Sequence, residues 1–388
     1  MAKASLVTVG FLINPIAGLG GRVGLHGTDD QNAELALAKG AQPLSTERAL
    51  RAIKLLLPFK ENFSFITVEG EMGSDVLDIL GIEYVPLKTS NSRALRGRTC
   101  GEDTHDAVQA MVDLGAEIIL FAGGDGTARD IYSVVGAKLP LIGIPAGVKM
   151  RSGVFATYPE NAAQILIDYV SNSGTKKEFT EILDAVESCK SQGEISSEFF
   201  GLAMTINSKS LLQNPKLANS NYEDGLLELV AELAQGLSQD TLYLFGPGRT
   251  TNLILNLSGF SGSLIGVDAL YNGVLVGDDL SELEILNLLE KYPKSFLFLG
   301  VIGGQGFLLG RGNQQLSYQV LEKISEDNIY IIAGSKKLSG IFPNRLFVDL
   351  GEEVRGSFLN GYRHVHTSPG RTTICNLVSA TNKRKVSA

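Results

Sequence analysis

Gly123-Gly124-Asp125-Gly126-Thr127 sets one carboxylate among three glycines, after the apolar run Ile118 to Ala122 and before Ala128-Arg129-Asp130. Glycine lets backbone amides approach an anion closely, and amides at a helix N-terminus favour phosphate through their unpaired donors and the helix dipole. A carboxylate beside phosphate is electrostatically costly, so Asp125 needs a reason of its own. Three are open: it takes a proton from a hydroxyl nucleophile, it holds a metal ion, or it caps the helix of a tight turn. A second glycine-rich exit, Asn14-Pro15-Ile16-Ala17-Gly18-Leu19-Gly20-Gly21, follows the apolar run Leu6 to Ile13.

Two further loops have the composition of binding loops. Gly246-Pro247-Gly248-Arg249-Thr250-Thr251 ends one apolar run and opens a helical pattern. It is either an anion site to which Arg249 adds a planar donor fork, or a helix cap made by Thr250 or Thr251. Gly303-Gly304-Gln305-Gly306-Phe307-Leu308-Leu309-Gly310-Arg311-Gly312-Asn313-Gln314-Gln315 combines glycines, one arginine and four carboxamides. Carboxamides donate and accept together and suit a base or another amide, while Arg311 suits phosphate. A flexible surface loop is the alternative, and Phe307-Leu308-Leu309 argues against it. Asp268 and Asp278-Asp279 are candidates for a ribose or a metal, with capping and surface roles favoured. His364 and His366 share a face of a strand without a third ligand, so they read as structural. Lys149 and Arg151 steer phosphate or form a solvated face, and His26 and His105 carry little functional weight.

These residues need a scaffold that gathers strand ends. Over the first 150 or so residues, Leu6 to Ile13, Phe63 to Val68, Ile118 to Ala122 and Leu141 to Ile144 read as strands. Between them, Ser45 followed by Glu47 to Leu57 reads as a capped helix, and Asp103 to Leu114 repeats the design. That alternation predicts a parallel sheet flanked by helices, whose strand C-termini form the ligand crevice. Tyr158 to Asn221 is irregular and polar, broken at Ser171 to Gly174 and at Asn214-Pro215, and reads as a domain crossing. A second alternating series follows: strand Leu242 to Phe245, helix Thr250 to Leu257, strand Leu264 to Val267, helix Leu280 to Leu289, strand Phe296 to Val301, helix Tyr318 to Ile324 and strand Ile329 to Ala333. The expected domains are 1–157, an α/β domain carrying the Gly-Gly-Asp-Gly-Thr loop, and 158–388, a second α/β domain contributing to ligand binding. Asn382 to Ala388 reads as a basic tail.

Composition agrees with an enzyme. Across 388 residues, 34 basic against 42 acidic side chains leave a formal charge of −8, which argues against coating a nucleic-acid backbone. Cys100, Cys189 and Cys375 show no paired spacing, so neither a disulfide framework nor a zinc site is expected. No run reaches the roughly 20 apolar residues that span a bilayer. The expectation is a cytoplasmic protein with small-molecule nucleotides as partners, no nucleic acid, no membrane, and homo-oligomeric assembly.

The two glycine-rich exits together carry a resemblance. Gly123 to Thr127 after its strand resembles the signature of the superfamily of NAD kinases, diacylglycerol and sphingosine kinases and, more distantly, phosphofructokinases. Asn14 to Gly21 resembles the Asn-Pro loop of the same superfamily. The resemblance narrows to ATP-NAD kinase-like proteins related to the acetoin-catabolism X proteins. It covers nearly the whole chain, through Gly18 to Asp29, Pro43 to Ala49, Phe121 to Ile131, Pro145 to Phe155, Gly246 to Thr251, Gly266 to Gly273 and Gly303 to Gln315.

The resemblance implies phosphoryl transfer from ATP, or from polyphosphate, to the 2′-hydroxyl of the adenosine ribose of NAD, giving NADP, with a divalent cation such as Mg²⁺ whose ligands are unknown. It also implies that Asp125 serves the acceptor hydroxyl. Nucleotide contacts are expected from Asn14, Pro15, Gly18, Gly20, Gly21, Gly123, Gly124, Gly126, Thr127, Arg129, Gly246, Gly248, Arg249, Thr250, Gly304, Gln305, Gly306, Arg311, Asn313 and Gln314, with the site between the domains. Arg129, Arg249 or Arg311 would offset transition-state charge. The Asn-Glu or Asn-Asp pair with which NAD kinases grip the dinucleotide has no evident equivalent here, although Gly246 to Thr251 could match their Thr-Gly-Ser-Thr segment. Their second domain is β-rich, where periodicity here predicts alternation. A kinase of a lipid or other small alcohol, and a nucleotide-binding regulatory protein without turnover, are the rival functions.

Overall fold

The computed structural model describes residues 6–24, 35–88, 99–148, 150–171, 176–185, 197–208, 211–213, 224–302, 305–341, 345–351 and 361–379. His26, Lys149, Cys189, Gly303, Gly304, Asn214-Pro215 and the basic tail lie outside them. The chain divides into two compact units: Met1–Leu19, Gly27–Ala33 and Gln42–Pro215 form the first, and Gly20–His26, Glu34–Ala41 and Lys216–Ala388 the second.

In the first unit, β1 (Val7–Ile13), β2 (Phe63–Val68), β3 (Tyr84–Leu87), β4 (Ile118–Gly123) and β5 (Leu141–Pro145) make a parallel sheet in the order β3-β2-β1-β4-β5. The strands read as unbroken apolar runs because helices cover both faces. Helices α1 (Ser45–Lys54), α2 (Ser74–Ile79) and α5 (Pro159–Ser171) pack with Val9, Phe11, Leu120 and Ile144 on one face. On the other, α3 (Gly101–Asp113) and α4 (Asp125–Val135) pack with Leu12, Ile119 and Phe121. The sheet grows outward in both directions from β1 and β4, which pair in register from Val9↔Ile118 to Ile13↔Ala122. The winding therefore reverses between the two strands whose exits are rich in glycine, and such a reversal opens a crevice at the strand C-termini.

Two expectations change here. Ser45 does not cap α1, whose N-cap is Leu44; its buried hydroxyl instead donates to the Pro15 carbonyl at 3.3 Å and braces the Asn-Pro loop. The segment read as an irregular crossing carries α5 and an antiparallel hairpin, β6 (Lys177–Ala185) with β7 (Ser197–Ile206). The hairpin belongs to the first unit, since Gly153 N–H donates to the Glu181 carbonyl and Thr205 Oγ1 to the Leu141 carbonyl. The compact unit thus runs on past 157 to Pro215. Hairpin strands packed on one side only lack the continuous apolar run that marked the others, and their polar alternation reads as loop.

The second unit has α6 (Asp224–Gln235), β8 (Leu242–Phe245), α7 (Arg249–Leu257), β9 (Asp268–Tyr271), β10 (Val274–Gly277), α8 (Glu282–Lys291), β11 (Ser295–Gly300), β12 (Phe307–Leu309), α9 (Tyr318–Glu322), β13 (Ile329–Ile332), α10 (Ser335–Ser339), β14 (Arg345–Val348), β15 (Gly361–Ser368) and β16 (Arg371–Ser379). They form a nine-stranded mixed sheet, β10-β9-β8-β11-β13-β15-β16-β14-β12. From β8 to β14 each helix is followed by one or two strands, with β10 and β12 added to the alternation, and β15 and β16 come after, so this half is richer in strand than the periodicity suggested. The strand expected over Leu264 to Val267 is irregular chain, and β9 begins at Asp268. A buried carboxylate causes that offset: Asp268 is 1% exposed and accepts the Ser263 and Asp279 amides at 2.8 and 3.0 Å, folding the preceding residues into a turn.

Candidate active site

Asp125 is the first residue of α4, after the N-cap Gly124. Only 5% of it is exposed, and donors from the chain beyond β5 surround its carboxylate. Oδ1 accepts from the Arg151 amide at 2.9 Å, the Ser152 amide at 3.0 Å and the Ser152 hydroxyl at 2.8 Å. Oδ2 accepts from the Arg151 amide at 2.7 Å. Burial pushes the acid up to about 7, against the pull of these bonds, and the Asp184 carboxylate adds to the rise. Such an acid exchanges its proton near neutrality, where a general base works best.

The Asn-Pro loop meets this turn. Asn14 Nδ2 donates to Thr127 Oγ1 at 2.9 Å, and its Oδ1 accepts the Ile16 amide at 3.2 Å. One carboxamide thereby ties the exit of β1 to the first turn of α4. Gly18 has φ +83°, and a Cβ there would collide with the Ala146 carbonyl oxygen, so this glycine is required by the fold. Gly123 is required too, since a Cβ would lie 2.6 Å from the Thr127 side chain. Gly126 differs: it sits in the helix, and a Cβ would meet nothing within 4 Å. Neither torsion nor internal crowding demands glycine there, which leaves approach of a ligand as the one physical reason from sequence still standing.

Arg129 is engaged inside its own unit. Its guanidinium donates to Asp184 at 2.8 Å and lies 3.2 Å from Asp130, with the Phe200 ring 5.6 Å away. Arg151 is 3% exposed, which overturns a solvated face for it, and its backbone amide is what touches Asp125. Sequence reasoning missed Ser152 and Asp184. A lone serine and a strand aspartate carry no local pattern, and only the return of the chain after β5 and the β6–β7 hairpin brings them to Asp125.

The remaining expected residues belong to the second unit. Gly20 and Gly21 are buried, and a Cβ on Gly21 would stand 3.1 Å from the Gln314 side chain. Gly248 caps α7 with φ +136°, and no side chain caps that helix. Thr251 Oγ1 instead donates back to the Gly246 carbonyl at 2.5 Å, with the Gly248 carbonyl 3.0 Å away, so the threonine cap is replaced by a folded-back brace. Thr250 is buried and Arg249 exposed.

In the last loop, Phe307 to Leu309 is the buried strand β12. Arg311 is buried: its guanidinium pairs with Asp349 at 2.6 Å and lies 4.3 Å from the Phe307 ring centroid. Asn313 accepts the Gly310 amide and donates to the Leu308 carbonyl, both at 2.8 Å. Both residues thus bond within the loop and to Asp349, while the buried Arg311 Nε makes no hydrogen bond, and the nucleotide contacts expected of them stay an expectation. Gln305 is buried, Gly306 turns at φ +69°, and Gln314 Nε2 lies 3.4 Å from the Gly310 carbonyl. Asp268 is pushed up by burial and by the Asp278 carboxyl beside it, and its bonds are those of a turn. His366 stacks on Tyr330 and His364 bonds Thr372, as structural histidines do.

The family described as the ATP-NAD kinase N-terminal domain matches residues 9–173. The match takes in both glycine-rich exits, Asp125 and the Arg151-Ser152 clamp. No curated protein matches the chain. Among the described residues no helix is long and apolar enough to cross a membrane.

Proposed function

We propose that the protein, whose residues 9–173 match the ATP-NAD kinase N-terminal domain, phosphorylates the 2′-hydroxyl of NAD with ATP or polyphosphate as donor. The match supports a kinase of this family type. The observation that carries the phosphoryl-transfer reading is Asp125: a buried carboxylate, pushed up to about 7, at the reversal point of a parallel sheet.

Its two oxygens have different work. Oδ1 accepts three bonds and is saturated; Oδ2 accepts one and keeps acceptor capacity. The acceptor hydroxyl would deliver its proton to Oδ2 as its oxygen attacks the terminal phosphorus, while amides of the first turn of α4 and the open face at Gly126 receive phosphate oxygens. Much of the rate enhancement would come from position and charge stabilisation.

The fit to a divalent cation is poor on the protein side. Among the described residues no three His, Cys, Asp or Glu side chains gather into a metal site. Asp125 is clamped by amides, and Asp130 and Asp184 hold Arg129. A magnesium ion would come with the donor phosphates and its own waters.

The test is NADP formation by the full chain with ATP, with polyphosphate and with neither, beside Asp125→Asn. Turnover with NAD that Asp125→Asn abolishes supports the assignment. ATP consumption that depends on another alcohol and ignores NAD moves the acceptor to that class, and nucleotide binding without turnover makes the protein a regulator.

A further inference from the structure

Ser152 places one hydroxyl proton between two acceptors. Its Oγ lies 2.8 Å from Asp125 Oδ1 and 3.0 Å from the Leu183 carbonyl oxygen of β6, and the Leu183 amide donates to it from 3.1 Å. The side chain is wholly buried. A serine hydroxyl has one proton and two lone pairs, so it serves Asp125 or the Leu183 carbonyl at any moment, and not both. The Leu183 amide occupies a lone pair in either case.

The charge on Asp125 decides between them. A carboxylate draws the proton, because a bond to an ionised acceptor is roughly twice as strong as one between neutral groups. Once Asp125 is protonated that advantage disappears, and the Leu183 carbonyl becomes the better acceptor. The backbone holds still meanwhile: Gln213 Nε2 donates to the Ser152 carbonyl at 2.9 Å and reaches the Met150 carbonyl at 3.4 Å, and Gly153 N–H is bonded to Glu181. Only the hydroxyl torsion is left to change.

We propose that Ser152 is a positioning residue whose hydroxyl turns between Asp125 Oδ1 and the Leu183 carbonyl as Asp125 loses or gains its proton. The turn moves no proton from one residue to another. It adds one bond to the ionised carboxylate and withdraws that bond on protonation, so the proton taken from a substrate changes a bond of β6 at the same time. The consequence for turnover rests on Asp125 being the base; the hydroxyl switch itself does not. Among the described residues, the charged groups that act on Asp125 are Arg151 in the clamp and Asp184 next to Leu183 in β6; Asp184 in turn binds Arg129 of α4, which also pairs with Asp130. From α3, His105 bonds Ser133, two turns further along α4.

Carbon-13 NMR of the labelled full chain tests this in the wild-type protein. The Asp125 carboxyl signal, assigned by its loss in Asp125→Asn, should titrate, and the Leu183 carbonyl signal should move with the same midpoint. In Ser152→Ala the Leu183 movement should vanish, and the proton affinity of Asp125 should rise about tenfold to a hundredfold, as expected for losing one bond to a charged group. A Leu183 carbonyl that stays silent through the Asp125 midpoint in the wild type overturns the proposal without any variant needing to fold. An unmoved Asp125 midpoint in folded Ser152→Ala overturns it as well. Matching midpoints in a protein that phosphorylates nothing support the switch and sink the kinase reading, so the two fail separately.

Discussion

In the first unit, β4 runs out through Gly123-Gly124 into a helix whose first residue is Asp125; in the second, β8 runs out through Gly246-Pro247-Gly248 into a helix whose first residue is Arg249. Strand, glycine turn and helix are the same, and the first side chain carries opposite charge. Asp125 agrees with the positive end of its helix dipole, whereas Arg249 opposes it and stays exposed to water. The turns are also held differently. Thr251 braces the second turn from within its own helix, while the first is clamped by Arg151 and Ser152 from distant chain. Around Arg249 the second turn gathers positive charge: the Lys337 ammonium is pushed down by burial and by Arg249. A shared strand-turn-helix frame thus yields a buried carboxylate in one place and an exposed cation in the other, and the deciding factor is which distant segment closes over the first residue.

The widest separation between the turns should appear in catalysis. Asp125→Asn should lower kcat by about 10²–10⁴, the range for losing a positioned base, with small change in nucleotide affinity. Arg249→Ala should change kcat by less than about tenfold, since an exposed cation contributes a weak screened interaction. Steady-state kinetics on both variants would break the comparison if the arginine change proved the larger.

Next in size is Arg311→Ala, which leaves the Asp349 carboxylate buried without its guanidinium. It should cost about 3–5 kcal/mol of stability. Thermal and urea unfolding should show the loss, while KM values in the surviving folded fraction stay near those of the wild type. A raised KM for the acceptor at unchanged stability would return this loop to the binding site.

The titration of Asp125 sharpens the contrast further. Its acid is raised from 3.8 to about 7 on folding, so between those values the folded chain holds a proton that the unfolded chain has released. Stability therefore falls as pH rises through that window and levels off above it. Asp125→Asn should remove this slope, a difference of roughly 2–4 kcal/mol between pH 4 and pH 8. Urea unfolding of both proteins across that range would show parallel curves if Asp125 were an ordinary exposed acid.

The smallest effect on the fold is expected at Gly126. Alanine there meets open space in a helix and should leave stability unchanged or raised by about 0.5–1 kcal/mol. Gly18→Ala, which forces a Cβ onto Ala146 at positive φ, should cost about 1–3 kcal/mol. If Gly126→Ala nevertheless weakens ATP binding, measured by calorimetry, phosphate approaches that backbone. Unchanged binding would confine the glycine's importance to the neighbours of Asp125.

Much of this protein is determined locally. Buried parallel strands need unbroken apolar runs, so β1, β2, β4 and β5 stand out in the sequence, and the glycines at their ends mark the crevice around Asp125. Gly303 to Gln315 shows the limit of composition: an arginine and carboxamides among glycines describe a binding loop and an internally bonded one equally well. That Arg311 meets Asp349 and Phe307, and Asn313 the Leu308 carbonyl, is a matter of tertiary contact that no local pattern announces. The same holds at the candidate base. Chain pattern marks Asp125, but its proton affinity depends on burial and on donors 26 and 27 residues away, with Leu183 holding the hydroxyl of Ser152 in turn. Periodicity and turn chemistry act over a few residues, while desolvation and hydrogen bonding act on whatever the fold brings within 3 Å or so. The sequence by itself therefore determined four of the five strands of the first sheet and the position of the acid, and only tertiary structure added β3 and decided what state that acid is held in.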